Sequence, residues 1–128
     1  MKGTTLKGGL VAGLCLISVW GCQRPAAPEV SYSEDVRPIL EKNCLECHVE
    51  GGSGYEASGF SMASYEDLMK GTKFGPVIKP EDSLTSALTM LVEGRADPSI
   101  QMPHGREPLT EEEITTLKTW VDQGAKNN

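Results

Sequence analysis

The sequence predicts an all-α domain of about four helices, and three observations carry that expectation. Near the C-terminus, Thr110 and Glu113 form a capping box, Leu109 and Ile114 can make a hydrophobic staple, and Gly124 is placed to stop the helix. Leu84, Leu88, Leu91 and Val92 recur at helical spacing between about Glu81 and Gly94. Ser33 can cap a third helix running through Val36, Ile39 and Leu40 towards Cys44, with Pro38 close enough to the start to be tolerated.

The remaining elements follow in order. Residues 22–31 include Pro25 and Pro28 and read as a short extended tether. Gly51, Gly52, Gly54 and Gly59 mark a mobile loop; no Lys-Ser/Thr pair follows them, so a phosphate-binding reading is weak. Ser64 with Asp67 can cap a short helix that ends at Gly71. In the last helix Ile114, Leu117, Trp120 and Val121 share one face at helical spacing. Glu111, Glu112 and Glu113 suit the positive end of that helix, which accounts for them without a catalytic or metal site.

Ahead of the domain, Met1 to Gly21 carries Lys2 and Lys7 and then an apolar run to Trp20. The run is short for a spanning helix, which needs about 20 apolar residues, and reads as a secretion signal. Val19, Trp20, Gly21 and Cys22 resemble a bacterial lipobox, with bulky Trp20 as the departure, which implies lipidation at Cys22 after cleavage. An acylated cysteine would attach stably to a membrane; the alternative is an ordinary cleavable signal and a soluble periplasmic protein. Gln23 is not the aspartate of an inner-membrane retention signal, so outer-membrane placement is open.

Removing residues 1–21 from the 128-residue chain leaves 107, enough for one domain. That part keeps all 18 acidic residues and ten of the 12 basic ones, for a formal charge of −8. Such a surface repels nucleic acid; it suits a basic partner, or simply a solvated exterior. Cys15 leaves with the signal and Cys22 is the lipid site, so only Cys44 and Cys47 remain for chemistry.

Cys44-Leu45-Glu46-Cys47-His48 is C-x-x-C-H, the attachment sequence for c-type haem. Thiols three positions apart can reach both vinyl groups of a porphyrin, and the adjacent His48 can offer its imidazole to the iron. A covalent haem also enlarges the core of a small chain. Zinc or thiol-redox readings rank lower: the export signal favours haem, and the mature chain has no second cysteine pair. For the second axial ligand the candidates are Met62, Met69, Met90, Met102 and His104. Met102 precedes Pro103 in a turn-rich stretch and is biased towards an extended conformation. Met69 and Met90 fall in expected helices and Met62 lies beside Phe60, where core roles are ordinary. His104 is the competitor; bis-imidazole ligation would lower the potential relative to His/Met.

From Tyr32 to Ala125 the sequence resembles a class I cytochrome c domain of the planctomycete type. The matching segments are Val36-Arg37-Pro38-Ile39-Leu40, Pro80-Glu81-Asp82-Ser83-Leu84, Met102-Pro103, Pro108-Leu109-Thr110-Glu111-Glu112-Glu113-Ile114 and Trp120-Val121-Asp122-Gln123-Gly124-Ala125. The resemblance implies a cytochrome c-like fold of about four helices around one covalent haem c, with the last helix packed across the first. It also implies Met102 as distal ligand beside proximal His48, with His104 the alternative. Many class I cytochromes have a proline soon after the haem histidine, whose carbonyl accepts the imidazole N–H. Here none occurs between His48 and Pro76, which leaves that acceptor unassigned.

The reading is then a signal over residues 1–21, a tether over 22–31 and a monohaem cytochrome c domain over 32–128. Its expected role is a one-electron carrier, not an enzyme, facing the periplasm from a lipid anchor and serving a dehydrogenase or oxidase. The alternative function is a haem-based module that binds or senses a small ligand.

Overall fold

The computed structural model describes Met1, Gly3 and residues 27–128. The rest of the signal segment, with Cys15, and residues 22–26 of the tether, with Cys22, lie outside the described residues. Among those residues there are five α-helices and no strand: α1 (Arg37–Asn43), α2 (Ser53–Ser58), α3 (Tyr65–Lys70), α4 (Ala87–Val92) and α5 (Glu111–Asp122). A widened π-helical turn, Tyr32–Val36, leads into α1, and a 3₁₀ turn, Pro98–Ile100, separates α4 from α5. None of these helices is long and apolar enough to cross a membrane.

The first helix starts earlier than its sequence suggests. Ser31, not Ser33, is the cap: its side chain accepts from the Glu34 N–H at 3.2 Å. Ser33 is committed elsewhere, since its N–H and its hydroxyl both donate to the Asn128 carbonyl at 3.0 Å. Asn128 Oδ1 also accepts from the Tyr32 N–H at 2.8 Å. The C-terminal residue thus satisfies donors that a helix start leaves without internal partners. Pro38 falls in the first turn of α1, where its missing N–H costs little.

α5 forms as its sequence predicts. Thr110 Oγ1 accepts from the Glu113 N–H at 3.2 Å, and the Glu113 carboxylate accepts from the Thr110 N–H at 2.8 Å. Leu117, Trp120 and Val121 are buried, and Trp120 stacks at a tilt on Tyr32, with ring centroids 5.7 Å apart. This face packs against the Tyr32–Val36 turn, joining the two ends of the domain in one core with Val36, Leu40 and Leu68. The indole N–H finds the Lys126 carbonyl at 2.9 Å, so the buried ring leaves no donor unpaired.

α3 also agrees, with Ser64 accepting from the Asp67 N–H at 3.1 Å and Gly71 ending the helix. Two expectations are corrected. The glycine-rich stretch contains a helix, α2, which terminates at left-handed Gly59. The helix expected from Glu81 begins only at Ala87, because Asp82–Ser86 is a turn clamped to the end of α5. There the Ser83 N–H and hydroxyl both donate to the Asp122 carboxylate, at 2.8 and 2.9 Å, and the Glu81 N–H donates to the Val121 carbonyl at 2.8 Å. Leu84 consequently points outward at 70% exposure, while Leu88 and Val92 stay buried.

Candidate functional site

α1 delivers the C-x-x-C-H segment to the mouth of a cavity. The Cys44 N–H donates to the Leu40 carbonyl at 2.8 Å, and the N–H groups of Cys47 and His48 both turn back to the Cys44 carbonyl, at 3.1 and 3.0 Å. The coil puts both thiols and the imidazole on one cavity of about 420 Å³. Its wall is mostly carbon, with Phe60 contributing from the loop after α2 and Leu88, Leu91 and Val92 from α4.

Met102 and His104 reach the same cavity from the loop before α5. The Met102 N–H donates to the Leu91 carbonyl at 3.2 Å, which ties this loop to α4. Met102 is half-buried against the core and His104 is exposed at the rim. Among the other methionines considered, Met62 lines the cavity while being buried in the core, whereas Met69 and Met90 do not line it. Met62 belongs to the His48 side, since its N–H donates to the His48 carbonyl at 2.7 Å.

Electrostatics keep Cys44 in its thiol form at neutral pH. Burial pushes the Cys44 thiol up to about 11; Arg106 opposes the rise, and Cys47 and Glu113 add to it. Reactive cysteines show the reverse shift, towards thiolate. Nor do the described residues include a group of three or more His, Cys, Asp or Glu placed to hold a metal ion by themselves.

His48 is the most constrained member. Its ring meets Phe60 edge-on at 5.3 Å between centroids, and burial pushes its pKa down, with the Phe60 backbone acting in the opposite direction. Nδ1 is buried and has no hydrogen-bond partner. The neighbouring Gly54 backbone packs onto the ring so closely that a Cβ there would stand 2.7 Å from Cε1 and 2.9 Å from Nδ1. Sequence reasoning missed Gly54 and Phe60; the glycines directly after the motif were the available signal, and they read as a loop.

A second feature it did not foresee is the brace behind Cys44. Glu113 Oε1 accepts from Lys42 Nζ at 2.8 Å and from Asn43 Nδ2 at 3.3 Å, so the start of α5 grips the two residues before the motif. At the rim, Arg106 pairs with Glu46 at 2.8 Å, linking the Met102 loop to the residue between the two cysteines.

This donor set fits a c-type haem. The cavity offers an apolar enclosure, two thiols at its edge, an imidazole and a thioether, and the buried Nδ1 leaves Nε2 as the imidazole nitrogen for iron. Residues 44–104 match the family model described as Planctomycete cytochrome C. The matched stretch opens on Cys44 and closes on His104; it stops short of the Val36–Leu40 and Pro108–Ala125 segments included in the sequence resemblance. Neither curated proteins nor solved structures yield a match to the chain. The C-x-x-C-H motif and the Met102 loop both lie inside the matched stretch and converge on one cavity, and the match supports a planctomycete-type cytochrome c domain over residues 44–104.

Proposed function

We propose that the protein is a monohaem c-type cytochrome that carries single electrons outside the cytoplasm. The observation that carries this reading is the meeting of Cys44, Cys47, His48 and Met102 at one apolar cavity. Bound haem c would supply the ferrous/ferric couple. Cys44 and Cys47 would hold the macrocycle through thioethers, and His48 and Met102 would hold the iron. Leu88, Leu91, Val92 and Phe60 exclude water from it, which keeps reorganisation on electron exchange small.

The protein acts as a carrier for a dehydrogenase or oxidase rather than as a catalyst. Its lipid anchor at Cys22 holds the domain at a membrane surface on the periplasmic side, with the outer membrane as one location. The acidic exterior favours partners with a basic docking face.

The test is expression of the exported protein with a c-type maturation system. Covalent pigment that survives acidified organic solvent and a low-spin spectrum with a sulfur-to-iron band support the carrier. A high-spin spectrum supports small-ligand binding instead, and a colourless protein removes both.

A further inference from the structure

We propose that the glycine-rich segment after the haem motif is the positioning element for His48, with the Gly54 backbone setting the ring's plane and the Phe60 carbonyl accepting from Nδ1–H. The inference rests on the haem reading above, because it concerns how the proximal imidazole is held. A haem histidine whose second nitrogen donates to a fixed acceptor keeps one tautomer and one orientation, and becomes a stronger donor to iron.

Three observations converge on it. Nδ1 is buried without a partner, a condition that native proteins rarely leave standing. Three backbone carbonyls of the same segment are taken: those of Cys47 and His48 accept from the Tyr55 and Met62 N–H groups at 2.9 and 2.7 Å, and that of Gly54 accepts from the Ser58 hydroxyl at 2.7 Å. The Phe60 carbonyl accepts no hydrogen bond among the described residues, and the Phe60 ring is already against the imidazole.

Gly54 completes the clamp from the other side. Its backbone has an ordinary negative φ, so the need for glycine is one of space: any side chain there would strike the imidazole edge. Gly52 is required in the same way, since its Cβ would come within 2.5 Å of the Cys47 carbonyl oxygen. The segment that resembles a mobile loop in sequence is therefore a shelf fitted to the proximal side. It supplies what the missing proline after His48 leaves open.

The experiment uses haem-loaded, ¹⁵N-labelled protein in the ferrous state. The expected result is a His48 Nδ1–H resonance that exchanges slowly with water and shows cross-relaxation to Phe60 and Ser61. Gly54→Ala, with haem still attached, should speed that exchange by about tenfold, the loss of one modest hydrogen bond, and raise the midpoint potential. An Nδ1–H that exchanges as fast as a solvent-exposed imidazole in the wild-type protein overturns the proposal, as does cross-relaxation to a different acceptor. The wild-type measurement decides even if Gly54→Ala does not load haem. Failure of the haem reading is separate, appearing in the absorption spectrum as missing covalent pigment.

Discussion

Replacing Glu113 by glutamine should weaken the domain at neutral pH and leave it nearly unchanged in strong acid. The Glu113 carboxyl is held down to about 2 from a usual value near 4.5, first by Lys42, then by the Thr110 N–H, with Asn43 and the Thr110 hydroxyl adding and burial opposing. Its folded value is the depressed one, so the stabilisation is complete above about pH 4.5 and is lost as pH falls through about 2. A displacement of that size corresponds to a ceiling of about 3.4 kcal/mol at 1.36 kcal/mol per unit. Lys42 is 68% exposed and its contribution is screened by solvent, which reduces the expected loss to about 1–2 kcal/mol. Urea unfolding of the haem-loaded wild type and Glu113→Gln, followed by circular dichroism between pH 7 and pH 2, measures the difference. The gap should halve near about pH 3.3, midway between the two values. A gap that persists undiminished at pH 2, or none at pH 7, would refute the assignment of the brace between α5 and the residues before Cys44.

Three other perturbations test separate links. Met102→Ala should abolish the sulfur-to-iron absorption band while leaving the haem covalently attached; survival of the band would transfer the distal role to another residue. Leu40→Ala, at a fully buried position one turn before Cys44, should cost about 2–5 kcal/mol in urea unfolding, and a cost near zero would mean the α1 packing is misassigned. Asp122→Ala strips the buried Ser83 N–H and hydroxyl of their shared acceptor and should cost about 1–3 kcal/mol without altering the axial-ligand spectrum, since the Asp82–Ser86 turn lies away from the cavity. A changed spectrum would show that this turn bears on the iron site.

The sequence alone determined the features whose signals lie within a few residues. Cys44-x-x-Cys47-His48 is contiguous, so the motif could be recognised without a fold. The Thr110–Glu113 box and the Ser64–Asp67 cap each close within three positions, and both helices begin where those pairs stand. What only the tertiary structure decided involves partners far apart along the chain. Ser33 reads as a cap until Asn128 takes its N–H and hydroxyl, and Ser31 becomes the cap instead. The apolar spacing from Leu84 suggests a longer helix, yet Asp122 captures Ser83 and holds the preceding residues in a turn. Met102 and His104 are placed opposite His48 in the sequence only by the turn-rich Met-Pro stretch and by resemblance; the fold brings both onto its cavity, with the Met102 N–H bonded to the Leu91 carbonyl. The physical reason is common to all three: caps and helical periodicity are energies of neighbours, whereas a buried donor accepts whichever partner the packed core brings within reach, and that partner exists only after the chain has folded.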